Sequence, residues 1–322
     1  MVDMSKVIKS SGTNGPIGAH AVAPSRAAVS NIIAGGPAAN PFVVERAVDA
    51  EPFIKLFMYG ATGIGKTYLA ATAHDCIPMR DVLFLNAEGG TATLVNMGKT
   101  DVDVITVKNW PMFVRVYDFL AAYCKLKNKP GVTEAELRAF LTVVNLGDRD
   151  PLPDYNTVVI DTIDEIQEYC MKHILGMDPQ STKLGTPYNK PGWPEYGELL
   201  DRMKTVARNF RNLPMHVIVT CHQEIKQDDN QRVYIEPSLV GKFAVAAQAY
   251  FDFVGYYVAR HAISKGGPIM ERRMYITPGP NYAAKNRCNV STGWLSEPTM
   301  GQIYKLLKSG ADGIITDAPE GA

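Results

Sequence analysis

No charge of either sign prevails in this chain: 33 lysines and arginines are matched by 33 aspartates and glutamates over 322 residues. That balance excludes a strong general attraction to polyanions, so any surface for nucleic acid has to be a local patch. Cysteine is sparse. The five present (Cys76, Cys124, Cys170, Cys221 and Cys288) form no C-x-x-C pair, which argues against a zinc knuckle or a disulfide framework and fits a reducing compartment. No apolar run approaches membrane-spanning length, and the first residues lack the basic start and long apolar stretch of a secretory signal. The expectation is a soluble, cytoplasmic protein whose 46% apolar residues suffice for a sizeable core.

What is present is organised around Gly60-Ala61-Thr62-Gly63-Ile64-Gly65-Lys66-Thr67, an uninterrupted match to the phosphate-binding loop G-x-x-x-x-G-K-[ST]. Phe53 to Tyr59 reads as a buried strand before it, and Thr67 to His74 as a helix after it. Strand, glycine turn and helix thus come in the required order. The glycines let consecutive amides point inward at phosphate, Lys66 reaches the outer phosphates, and the Thr67 hydroxyl can complete a magnesium shell. Residues 60 to 68, ending at Tyr68, are the nucleotide-binding candidates.

Residues 1–45, rich in Ala, Gly, Pro, Ser and Asn, read as a flexible arm, with a partner-binding or subunit-linking tail as the alternative. Beyond the loop, the apolar strand Asp81 to Asn86 ends in Ala87-Glu88-Gly89-Gly90, where a glycine pair carries the chain over the carboxyl edge of a sheet. A third strand (Val102 to Val107), an amphipathic segment (Trp110 to Lys125) and a helix opened by a Thr133/Glu136 capping box follow; residues 126–152 read as a surface insertion. Tyr155 to Asp161 is an apolar strand closing on an aspartate, and Asp161 is placed to hold magnesium opposite Thr67. Thr162 stands next, so the paired Asp-Glu of AAA+ machines is missing. The carboxylate that activates water is then Glu88, with Asp164 and Glu165 as competitors that can instead serve the positive end of a helix dipole.

Residues 177 to 194 form a Pro/Gly-rich loop with Lys183, Tyr188, Lys190 and Trp193, a mixture suited to single-stranded nucleic acid; alternatively Trp193 and Tyr196 anchor the loop to the body. A helix (Glu195 to Arg211) and a buried strand (His216 to Thr220) lead to Cys221-His222-Gln223-Glu224, where His222 or Gln223 can sense a γ-phosphate, or His222 is a satisfied histidine near the sheet edge. Residues 225 to 236 read as a charged, mobile loop carrying Lys226 and Arg232, and Lys242 closes the turn after it. A helix (Phe243 to Tyr250), a strand (Phe251 to Val258) and a hairpin-like pair ending at Ile276 precede Lys285 and Arg287, which can reach a neighbouring subunit's nucleotide or form a solvated turn. A short helix, Gly301 to Lys308, lies in a C-terminal extension, 291–322.

The phosphate loop, Ala-Glu-Gly after the second strand, Val-Val-Ile-Asp-Thr, Val-Thr-Cys-His-Gln, Pro-Ser-Leu-Val-Gly-Lys and the late Ala-Lys-Asn-Arg together resemble the phage family of RecA-like P-loop nucleotide-binding proteins that includes the Sak-type single-strand annealing recombinases. The resemblance covers residues 52 to 290 or so. It implies an α/β RecA-like core over 46–290, with a parallel-rich central sheet flanked by helices. It implies Mg-ATP on Lys66 and Thr67, metal support from Asp161, water polarised by Glu88 and the γ-phosphate sensed by His222. Residues 177 to 194 and 224 to 240 would match two DNA-facing loops, making Lys183, Lys190, Trp193, Lys226, Arg232 and Lys242 DNA-binding candidates. Lys285 and Arg287 look like the family's basic pair across a subunit interface. Single-stranded DNA, single-strand-binding or replication proteins and further copies of the chain are the implied partners, in the host cytoplasm if the source is viral. The sensor departs from RecA proper, which has an amide where this chain has His222.

The function read from the sequence is therefore a Mg-dependent ATPase acting with single-stranded DNA in recombination or annealing. A nucleotide-gated accessory or helicase-loader-like module with little turnover is the alternative. A small-molecule phosphotransferase needs an arginine-rich lid, and the only adjacent arginines, Arg272 and Arg273, fall within a predicted strand.

Overall fold

Alternate residues of β1 (Lys55–Gly60) enter two different cores: Phe57 and Tyr59 pack into one apolar cluster, Leu56 and Met58 into another, and all four are fully buried. A strand apolar on both sides needs layers on both faces, as parallel sheets require. In the computed structural model, which describes residues 53–177, 190–228, 230–264, 267–287 and 293–309, that demand is met by a three-layer arrangement. β2 (Val82–Asn86), β3 (Asp103–Thr106), β4 (Thr157–Asp161), β5 (His216–Gln227) and β7 (Phe253–Ser264) join β1 in the parallel order β3-β2-β4-β5-β1-β7. β8 (Gly267–Tyr275) and β9 (Trp294–Ser296) extend the sheet antiparallel. The α/β class with a parallel-rich sheet flanked by helices is the one the sequence led us to expect. The N-terminal arm, Lys183 and Tyr188 lie outside the described residues.

On one face, α3 (Trp110–Lys127), α4 (Glu134–Thr142), α5 (Ile163–Ile174), α6 (Trp193–Arg211) and α7 (Phe243–Tyr250) contribute buried side chains to the larger cluster. On the other, Leu69 and Ala70 of α1 (Lys66–Ala71), Leu94 of α2 (Thr91–Asn96) and Met300, Ile303 and Leu306 of α8 (Met300–Ser309) fill the smaller one. Residues 293–309 therefore supply both a strand and core side chains. The capping box read at Thr133 is formed, the Glu136 amide donating to the Thr133 hydroxyl and the Glu136 carboxylate accepting from the Thr133 amide.

One stretch departs from expectation. Residues 225 to 236, read as a loop, form a hairpin in which β5 runs on to Gln227 and pairs antiparallel with β6 (Val233–Pro237). The charges that suggested a loop help to hold it: Lys226 forms an ion pair with Glu236 across the two strands and another with Glu224 on its own strand. Asp228 makes the turn, its side chain accepting from the Asn230 and Arg232 amides.

At the amino end of the sheet His216 is only 5% exposed, and its Nδ1 accepts the Ile54 amide hydrogen at 2.9 Å, which requires a neutral ring. Burial first, and the adjacent Lys55 ammonium second, hold its pKa down to about 4 from an ordinary 6.5. As pH falls below 6.5 the unfolded chain takes up a proton that the folded chain refuses until about pH 4. Stability drops across that window by up to about 3 kcal/mol. Lys55, lowered to about 7 by burial, titrates above this window. We expect the urea midpoint to fall between pH 7 and pH 5 in the parent and to fall less in His216→Asn, which keeps an acceptor without the titration. Equal slopes in the two proteins would rule the histidine out as the cause.

Candidate active site

The site lies where the parallel strands end. Gly60 of β1 is in register with His222 of β5, and Asn86 of β2 with Asp161 of β4, the second pair two residues short of the first, so all four lie at the carboxyl edge of the parallel sheet. At Gly60 β1 leaves no room for a side chain: a Cβ there would sit 2.2 Å from the Tyr257 carbonyl oxygen. Gly63 and Gly65 take φ of 76° and 103°, left-handed values that curl the loop from β1 into α1. Ala61, Thr62 and Ile64 complete the turn, and Tyr68, 51% exposed, stands beside it on the first turn of α1.

Lys66 is 6% exposed, yet its ammonium makes no ion pair among the described residues and donates instead to the Gly60 and Ala61 carbonyls at 3.1 and 3.0 Å. Burial lowers its pKa, and Glu88, Asp164 and Asp161 oppose that shift. A cation so placed, beside the curled glycine loop, can take a phosphate in exchange for two carbonyls.

Asp161, 2% exposed, accepts from the Thr67 hydroxyl at 2.8 Å through one carboxylate oxygen and from the Thr220 hydroxyl through the other. Beside them is Gly90, where a Cβ would meet Asp161 Oδ2 at 3.3 Å and Thr67 Oγ1 at 3.5 Å. A hydroxyl and a carboxylate facing a position without a side chain form a hard-oxygen set, and these residues fit magnesium. Thr67 and Asp161 would hold it.

Glu88 sits on the turn after β2. The turn is held by Asn86, whose buried side-chain oxygen accepts from the Gly89 and Gly90 amides at 2.8 and 3.1 Å. Ala87 donates its amide hydrogen to the Asp161 carbonyl at 2.7 Å and accepts the Tyr169 hydroxyl hydrogen at 3.1 Å. His222 bridges Glu88 and Asp164: Nε2 is 3.2 Å from Glu88 Oε1, and Nδ1 is 2.7 Å from Asp164 Oδ2. Burial pushes up the carboxyl of Glu165, the other competitor. Lys66, Thr67, Glu88, Asp161 and His222 are thus brought together.

Other candidates are not. The backbone of Lys285 bridges to Val254, which pairs with Phe57, three residues before Gly60, so Lys285 lies about 10 Å back along the sheet from the loop. Its ammonium donates to the Gln248 and Phe251 carbonyls, and Arg287 forms an ion pair with Asp252 at 2.6 Å. Lys226 is held by its two glutamates; Lys190, Arg232 and Lys242 are exposed. Trp193 begins α6 with 91% of its surface exposed, so it does not anchor a loop to the body as the alternative reading had it.

Sequence reasoning gave no role to Asn86, Tyr169 or Thr220. It left Arg272 on β8 as an idle strand residue; its Nε donates to the Ile64 carbonyl at 3.2 Å and so braces the loop.

The model of the AAA domain family matches residues 53–288. No curated protein matches the chain. Among solved structures, a KaiC-like protein from the hyperthermophilic archaeon Pyrococcus horikoshii aligns with 76% of this chain and 92% of its own, at 12% identity and a TM-score of 0.33. The RadB recombinase aligns with 69% of this chain and 79% of its own, at 13% identity and a TM-score of 0.33. Among the described residues no helix is long and apolar enough to cross a membrane.

Proposed function

The chain belongs to the AAA domain family, and from that premise we propose that it is a magnesium-dependent, RecA-like ATPase of the phage type, acting with single-stranded DNA in annealing or recombination. One observation carries this reading: Lys66 at the start of α1, Glu88 on the turn after β2, Asp161 at the end of β4 and His222 of β5 converge on a single sheet edge beside the glycine loop. In the proposed reaction a water attacks the γ-phosphate in line with the departing oxygen. Glu88 orients the water and takes up its proton, Lys66 neutralises the phosphate oxygens, and His222 Nε2 donates to the γ-phosphate. Magnesium, when bound, would neutralise further phosphate charge.

The DNA part rests on the exposed ring of Trp193 with Lys190, Arg232 and Lys242, since stacking on an aromatic and lysine or arginine contacts to the backbone bind single strands without reading sequence. Lys226 has no part in it, being paired within its hairpin. Further copies of the chain would assemble around the strand, and Arg287, with 62% of its side chain exposed, is the member of the basic pair suited to reach a neighbour.

The test is ATP turnover with and without an unstructured single-stranded oligonucleotide at low and moderate salt. Stimulation by the strand is expected, and Trp193→Ala should weaken the strand's half-saturation about fivefold or more. A strand that alters neither rate nor apparent affinity at any salt would end the recombination reading in favour of a nucleotide-gated protein-binding module.

A further inference from the structure

We propose that Asp164 is a positioning residue: it fixes the ring of His222 so that one donor, Nε2–H, is shared in turn between Glu88 and the γ-phosphate. The inference rests on the ATPase reading of this site and adds to it the element that aims the sensor.

Asp164 stands in the first turn of α5, where an acid is ordinarily explained by the helix's own amides. Its hydrogen bonds go to another element instead. Oδ1 accepts from the His222 backbone amide at 3.1 Å, and Oδ2 lies 2.7 Å from the His222 ring Nδ1. Gripping backbone and ring together leaves the imidazole little rotational freedom, and both side chains are about four-fifths buried. A ring nitrogen facing a carboxylate must carry the proton, which makes Nδ1 the fixed donor.

The consequence lies at the other nitrogen. Nε2, 3.2 Å from Glu88 Oε1, donates to that carboxylate only when the ring carries both protons. A γ-phosphate oxygen is also purely an acceptor, so phosphate and Glu88 compete for one hydrogen. When the phosphate takes it, Glu88 is released to hold water. Lys66 is the cation facing the same carboxylates, and it too is drawn by phosphate. The change has an outlet, because the His222 carbonyl accepts from the Ser238 amide at 2.8 Å, just past the strand that pairs with the end of β5. His222 thus joins the nucleotide pocket to the hairpin.

The experiment uses the full chain labelled with 15N-histidine, the His222 signals being identified by their loss in His222→Asn. The parent should show both ring nitrogens of His222 protonated, as a ring lying between two carboxylates requires. Asp164→Asn, which can still accept the backbone hydrogen but turns an amide NH2 toward the ring, should leave Nδ1 bare with Nε2 alone protonated. A bare ring nitrogen in the parent, or the same pattern in both proteins, overturns the proposal. Turnover supplies a second arm: Asp164→Asn should lower kcat about tenfold or more with nucleotide affinity within about threefold, and should cost nothing further in a His222→Asn background. Parent-like turnover, or additive losses in the double variant, would likewise defeat it. Should the parent hydrolyse no ATP, the hydrolase reading falls while the ring-proton pattern still decides the role of Asp164.

Discussion

Lys66→Ala should leave a folded protein whose ATP turnover is reduced by about two orders of magnitude or more and whose affinity for nucleotide is largely lost. The fold is expected to survive because the lysine contributes little to it. Its ammonium is buried with no ion pair among the described residues, a state that burial opposes, as the lowered pKa records. Removing it relieves that desolvation and withdraws one donor from the carbonyls of Gly60 and Ala61, two small effects of opposite sign. The nucleotide has no such offset. Its outer phosphates would meet Glu88, Asp164 and Asp161, three carboxylates that act on this lysine, without the cation that balances them. Titration with a fluorescent ATP analogue, run beside a melting curve, separates the two effects. Turnover within about threefold of the parent would mean that the loop does not hold the transferred phosphate.

Much of this site was legible because its parts are contiguous or lie at strand ends. The phosphate loop is eight consecutive residues, and Glu88 and Asp161 each end an apolar run that could only be a buried parallel strand. The residues that aim these groups were not legible, since nothing local marks them. Asp164 follows a rule that predicts an acid at a helix start, and only the fold brings it to His222, 58 residues away. Arg272 reaches Ile64 across 208 residues, and Thr220 reaches Asp161 across 59. The hairpin at 225–236 was misread for a related reason. Its short apolar alternation, in which Ile235 packs against the core, is outweighed by charged and polar neighbours, and the ribbon is also held by cross-strand pairs such as Lys226 with Glu236. Lys285 and Arg287 sit two apart as read, but their partners, Phe251 and Asp252, lie in the link just before β7 rather than at the phosphate edge.

Glu88→Gln is the most selective of the expected losses: turnover should fall by about a hundred- to a thousandfold while ATP binds as well as before or more tightly. The turn that carries Glu88 is set by Asn86 and by Ala87, not by the carboxylate, so an isosteric amide should leave the backbone in place. A glutamine oxygen still accepts from His222 Nε2, 3.2 Å away in the parent, so the bridge to Asp164 also persists. What is lost is the charge that draws a proton from water, together with a negative charge that the incoming phosphates would otherwise oppose. The competing carboxylates are ranked by the same geometry. Asp164 is spent on His222, so Asp164→Asn should cost less than Glu88→Gln; Glu165, pushed up by burial, should matter least. Single-turnover hydrolysis in the three variants tests that order, and a Glu165→Gln loss exceeding that of Glu88→Gln would move the base to α5. Glu88→Gln also isolates binding from chemistry. If bound ATP, rather than its hydrolysis, prepares the DNA surface, the variant held in ATP should retain a single strand longer than the parent, whose complex decays with each turnover.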